Sequence, residues 1–325
     1  MKMTYFRKFR LLLLLLLISL TGCGFLSSVT NRQSVPVNAL TGLPGENGRV
    51  LAVKFDDTTF AHPQQGVEGA DVVFVTQVEA GLTRLMAIYS SQYPEVIGPI
   101  RSARISDIDI LAQFGRVGFA YSGAQSKLRP VLAEANIVNL SAERNPPTIY
   151  FNDESRTRPY AMMLNTAPLL KKAKGLEVAK SIGYTHGPIS DSVTAIASVT
   201  IKWPNAKYEA RWDEASKKFH LYHDGNPDLN TAGEFLGSNN LVIQIVEIHP
   251  SEFGDKFGGV TPKTTVIGSG TGYLLRDGTM TKVLWNRTDA LSPTYWTLPD
   301  GTEAKFATGQ VWFFLTDTEP KFASL

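Results

Sequence analysis

Val72-Val73-Phe74-Val75-Thr76-Gln77-Val78 and Leu85-Met86-Ala87-Ile88-Tyr89 are short apolar runs of strand length. The stretch Ala103 to Phe114 follows them and sets Ile105, Ile108, Leu111 and Ala112 on one helical face. This alternation of strand and amphipathic helix predicts an α/β domain. Working outward, Leu51 to Phe55 and Val117 to Tyr121 read as further strands, and Lys127 to Ala135 and Thr166 to Ile182 as further helices. Ser102 is placed to cap the helix that begins at Ala103. Asn165 is placed to cap the last helix, with Pro168 in its first turn.

Beyond His186 to Ser192, where Gly187, Pro188 and two serines mark a boundary, the texture changes to strands separated by turns. Val199 to Trp203, Tyr208 to Trp212, Lys218 to Tyr222, Leu241 to Ile248, Thr264 to Ile267, Gly272 to Leu275, Thr281 to Trp285 and Gln310 to Leu315 are the strand candidates. Asp224-Gly225, Asp277-Gly278 and Asp300-Gly301 are dipeptides that close hairpins. The expected class is α+β or mixed, with an N-terminal α/β domain over residues 41–188 and a mostly antiparallel, β-rich domain over 189–325. A length of roughly 285 residues past the leader and tether suits two cores.

The leader has the order of an export signal. Lys2, Arg7, Lys8 and Arg10 precede the apolar run Leu11 to Leu20, and Leu20-Thr21-Gly22-Cys23 follows. An apolar run of that length rises roughly 15 Å as a helix, about half of a bilayer core, which is too short for a spanning anchor. Leu20 to Cys23 resembles a lipobox, so residues 1–22 are expected to be removed and Cys23, the one cysteine of the chain, to carry lipid. Residues 23–40 read as a flexible tether. Removing the leader takes four basic residues and no acid, so the formal net charge falls from +2 to −2. A near-neutral chain without a basic run offers no footprint for nucleic acid, and the expected membrane contact is the lipid on Cys23.

The chain has no G-x-S-x-G elbow, S-x-x-K, P-loop or H-E-x-x-H sequence, and its cysteine is committed to lipid. No cofactor or metal is expected. His220 and His223 lie three apart on a strand and so face opposite sides of the sheet. Gly268-Ser269-Gly270-Thr271-Gly272 is flanked by strands with no following helix, so it reads as a hairpin or bulge rather than a phosphate cradle. The five tryptophans, Trp203, Trp212, Trp285, Trp296 and Trp312, fall in or beside strands and read as core.

The informative polar segment is Gly98-Pro99-Ile100-Arg101-Ser102-Ala103-Arg104. Two arginines three residues apart at a helix start suit an anion. The alternative is that they pair with Asp107, Asp109, Glu79 or Asp153 and hold loops.

Asn38-Ala39-Leu40-Thr41-Gly42-Leu43-Pro44, His62-Pro63-Gln64-Gln65-Gly66, Val78 to Arg84, Ile97 to Arg104, Asn152 to Arg156, Gly268 to Tyr273 and Gly309 to Trp312 occur in the order of a known family. From Asn38 onward the chain resembles the YerB-like lipoproteins, which join two domains of unknown function behind a lipobox. That resemblance implies a surface-anchored envelope protein and brings no established activity. Glu79, Thr83, Arg84, Arg101, Ser102, Arg104, Asp153 and Arg156 match the family's polar motifs. Where the family pattern continues Pro-His-Asn, this chain reads Pro159-Tyr160-Ala161, which weakens a catalytic reading.

Three functions compete. The favoured one is a non-catalytic, lipid-anchored binding protein on the extracytoplasmic face, with an anionic envelope ligand or envelope protein as partner and Glu79, Arg84, Arg101, Ser102, Arg104, Asp153 and Arg156 as its candidate site. The second is a hydrolase or transferase of a cell-wall polymer, using the arginines on phosphate and Glu79 or Asp153 as base. The third is a protein-interaction scaffold acting through the β domain.

Overall fold

The structure is a computed structural model, and it describes residues 35–189, 193–255 and 258–324. The expected signal and Cys23 lie outside the described residues. Among those residues, no helix is long and apolar enough to cross a membrane. The compact unit starts at Val37, so the end of the expected tether belongs to the folded body. Asn38 and Leu40 are buried, and the Asn38 carboxamide oxygen accepts the N–H groups of Leu40 and Thr41 at 3.0 and 3.1 Å.

The main element is one mixed sheet. Its strands are β1 (Leu51–Asp56), β2 (Val72–Gln77), β3 (Thr83–Tyr89), β4 (Val117–Ala120), β5 (Ile137–Asn139), β6 (Thr194–Ala195), β7 (Asn240–Ile245), β8 (Gly268–Arg276), β9 (Thr279–Arg287), β10 (Tyr295–Thr297) and β11 (Val311–Thr316). The order is β6-β9-β8-β7-β11-β2-β3-β1-β4-β5, with β10 added on β9. The central strands β1, β2, β3 and β11 are buried along nearly their whole length because both faces are covered, whereas β9 alternates buried and exposed residues. On β11, Trp312 and Phe314 enter one core, while Val311, Phe313 and Leu315 enter the other.

Over the first face lies a second sheet of Asn226–Pro227, Lys218–His223, Ala206–Asp213, Ser198–Trp203 and Lys321–Ala323. Trp203 and Tyr208 from this sheet pack on Trp312 and Phe314. A small sheet of Val96–Ile97, Met162–Asn165 and Tyr150–Asn152 adds to the same core. The opposite face carries α1 (Ile105–Ala112) and α2 (Leu128–Glu134). A further helix, α3 (Thr166–Lys172), packs on the first face.

The mixed class holds, with strand content higher and helices shorter than the sequence suggests. The helix expected over Thr166 to Ile182 ends at Lys172, where Ala173 turns extended, and Gly175 at φ +69° follows. Its backbone is taken up there by neighbours: Val50 N–H donates to Glu177 O, and Ala179 N–H to Gly48 O, each at 2.9 Å. Ser102 does not cap α1. Ala103 N–H donates to Gly123 O and Ser122 N–H to Arg101 O, so residues 101–103 are tied into an extended pairing. The cap falls on Arg104, whose N–H donates to the Asp107 carboxylate at 2.7 Å.

The boundary drawn near residue 188 separates two textures but not two sheets. β11, near the C-terminus, lies between β7 and β2 and pairs with both in parallel, Val72 opposite Val311 and Val75 opposite Phe314. Gly268 to Gly272 lies within the β8–β9 hairpin, as a strand rather than a phosphate loop. Trp203, Trp285, Trp296 and Trp312 are buried.

Candidate functional site

The carboxyl end of β1 builds the site. Past Val53 its neighbour is no longer β4 but the segment Pro99 to Arg101: Asp56 N–H donates to Pro99 O, and Arg101 N–H to Lys54 O. Because β3 runs antiparallel to β1, its first residues lie beside that same end, with Arg84 opposite Asp56. Arg84, which opens a strand, therefore reaches the mouth where an open sheet binds ligands.

A cleft of about 670 Å³ lies there, with Glu79, Arg84, Arg101, Ser102 and Arg104 in its wall. These are five of the seven residues singled out in the sequence. The hairpin Ile248–Gly254 and Val260–Thr264 closes another side through Phe253 and Thr261. Asp56 is fully buried beneath, pairing with Arg84 Nη1 at 3.4 Å and with Arg101 Nε. Arg104 Nε sits 2.7 Å from Glu79 Oε1, and Nη1 donates to the carbonyls of Ser102 and Ala103. Thr261 donates to Glu79 as well. Underneath, Lys54 Nζ and Asp107 Oδ1 form a buried pair at 2.6 Å.

The charges are unequal. Arg84 and Arg101 share one carboxylate, so the pair keeps one positive charge in excess, while Arg104 and Glu79 balance. Among the described residues, no acceptor takes the Nη1 or Nη2 groups of Arg101, whose guanidinium lies 5.6 Å from the Tyr160 ring centre. Burial pulls the Arg84 pKa below its ordinary value; Asp56 opposes this, and Arg101 and Arg104 add to the lowering. Lys54 is lowered by burial too, against Asp107, with Arg104 and Arg84 reinforcing it. For Glu79, burial works upward, but the hydrogen bond and charge of Arg104 prevail and hold its carboxyl below the usual range.

Asp153 and Arg156 lie elsewhere. They line a second cleft of about 650 Å³ with Phe60, His62 and Tyr160. Arg156 is 3.3 Å from Asp153 and donates to the carbonyls of Ala61 and Pro63 at 3.0 and 2.5 Å. Asp153 accepts the N–H and hydroxyl of Ser155, which lower its pKa. This turn clamps the segment that carries His62.

His62 belongs to a buried polar group that the sequence does not reveal. Its Nδ1 is 2.9 Å from Asp228 Oδ1 and its Nε2 is 3.5 Å from Asp57 Oδ1. The His223 ring stacks on it, centroids 4.7 Å apart. Thr83 and Tyr208 donate their hydroxyls to Asp57 at 2.6 and 2.7 Å. Burial works to lower the His62 pKa, but Asp228 and Asp57 outweigh it and raise it to about 10. Burial works to raise Asp57, and His223 and His62 bring it down to about 2. His220, on the opposite face of its strand, contacts Ser216 and Phe235 instead.

Residues 40–179 match the family model described as protein of unknown function (DUF3048), N-terminal domain, and residues 199–313 match its C-terminal domain. Over 89 residues the chain is 39% identical to "Putative lipoprotein YerB" of Bacillus subtilis (strain 168), a match spanning 24% of this chain and 27% of that protein. The crystal structure of the YerB protein from Bacillus subtilis aligns with a TM-score of 0.74 at 20% identity. That alignment covers 88% of this chain and 99% of the other, and shows a common fold. With both family segments present in order on that fold, the chain belongs to the YerB-like family.

Proposed function

We propose that this protein is a non-catalytic binding protein of the cell envelope. It is held by lipid on Cys23 at the extracytoplasmic face and takes an anionic ligand in the cleft lined by Arg84, Arg101 and Arg104. The carrying observation is that two guanidinium groups share the single buried carboxylate of Asp56 at the rim of an open cleft. Glu143 and Asp255 line the same cleft, so the attraction for a phosphate or carboxylate is local to Arg84 and Arg101, whose planar donors suit it. The lipobox-like Leu20 to Cys23 and the lipoprotein relative support the anchoring.

The enzyme reading is less well supported. A general base works best with a pKa near the operating pH, and Arg104 drives Glu79 the other way. Asp153 stands in a different cleft from Arg84, Arg101 and Arg104.

The test is a thermal-shift series on the purified protein with inorganic phosphate and phosphate-bearing polymers, repeated on Arg101→Ala and Arg104→Ala. A ligand at about 100 times its Kd adds about 2.7 kcal/mol. A shift in the wild type that both variants lose supports the reading. No shift, with both variants melting lower, makes the arginines structural and overturns it.

A further inference from the structure

We propose that Asp57, His62 and His223 form a binding site for one divalent transition-metal ion of the zinc class, at the seam between the central sheet and the second sheet. The three residues come from three places: just past β1, just past the turn Thr59–Ala61, and the end of the strand Lys218–His223. One donor atom from each lies within 4.8 Å of the other two. His62 Nε2 is 3.5 Å and His223 Nε2 is 3.9 Å from the Asp57 oxygens. Tetrahedral ligands at zinc bond lengths stand about 3.3 Å apart, so the two Asp57 pairs need to draw in only slightly, while the set as a whole, spread over up to 4.8 Å, closes through movement of the rings.

The unused atoms point to the same place. Both Nε2 atoms are buried without a hydrogen-bond partner, and His223 is only 5% exposed. A buried ring nitrogen left unpaired calls for an occupant. The Nδ1 side of His62 is held by the Asp228 carboxylate, which is how outer carboxylates fix the tautomer of a metal-bound histidine. Thr83 and Tyr208 orient Asp57 in the same manner. Two imidazoles and a carboxylate select a zinc-class ion over calcium or magnesium.

Three protein ligands leave a fourth position for water or an outside group. His62 also walls the second cleft, which gives an ion its route inward. The two rings are stacked only 14° from parallel, and one ion cannot lie in two such planes, so they tilt apart on binding.

The full-length protein in detergent, stripped with chelator, is given zinc and titrated against a chromophoric chelator, with cobalt absorption as a second signal. One zinc per chain is expected in the wild type and in His220→Ala. His62→Ala and His223→Ala should lose at least tenfold in affinity, and Asp228→Asn about 10–100-fold. Absence of stoichiometric binding, or equal binding by the wild type and both histidine variants, overturns the site. If the variants fail to fold, wild-type crystals soaked in zinc decide it. An anomalous peak between Asp57, His62 and His223 supports the site, and its absence there overturns it.

Discussion

Asp56 and Asp57 are chain neighbours that serve different neighbourhoods, because successive side chains of an extended segment point apart. Asp56 turns to Arg84 and Arg101, while Asp57 turns to Thr83, Tyr208 and the histidines. Asp56→Asn strips two guanidinium groups of their shared buried partner. It should cost about 3–5 kcal/mol in a denaturant titration, and a loss below 1 kcal/mol would mean that solvent already compensates the arginines. Glu79 predicts a pH dependence. Its folded pKa lies below the ordinary 4.5, so its contribution is present above that value and disappears as pH falls through the folded pKa. The wild-type melting temperature should therefore drop more steeply on acidification below about pH 4.5 than that of Glu79→Gln. Parallel curves for the two proteins would remove Glu79 from the acid limb.

At the scale of elements, the strands were legible because apolar runs such as Val72 to Val75 and Leu85 to Tyr89 meet cover on both faces. The arginine segment was legible because Arg101 and Arg104 are close in sequence. Its partner Asp56 was not, since only the antiparallel register of β3 on β1 brings Arg84 beside it. His62 and His223 escaped for the same reason, as no local spacing links residues that meet only when two sheets stack. The long helix after Thr166 failed where the backbone found partners in residues 48–50 rather than in its own next turn. The β8–β9 hairpin carries a further expectation. A Cβ at Gly270 would lie 2.7 Å from Trp285 Nε1, so Gly270→Ala forces the buried indole to move. Such overpacking costs about 1–3 kcal/mol, to be read from equilibrium unfolding. An unchanged midpoint would show that the Trp285 pocket yields freely.

The whole molecule is organised by the pairing of β2 with β11, which joins the two family segments in one sheet. Residues 37–188 alone would leave β2 with an open edge and the first-face core without the second sheet. That fragment should lack near-UV dichroism and aggregate, and co-expression with residues 189–325 should restore both order and solubility. A cooperative melt of the isolated fragment would refute the shared-sheet account. The intact protein should unfold in one transition, with tryptophan fluorescence and far-UV dichroism coinciding.

That central pairing also sets a timetable. Gln310, just before β11, donates to Ala70, just before β2, across 240 residues of chain. A polypeptide that emerges N-terminus first, from a ribosome or through a translocation pore, has β2 in hand long before β11 arrives. The middle of the sheet stays an unfilled slot until nearly the whole chain is out, and closing so distant a contact is slow. Vectorial synthesis thus leaves the longest-waiting edge at the centre of the finished molecule, where a holding chaperone has the most to protect.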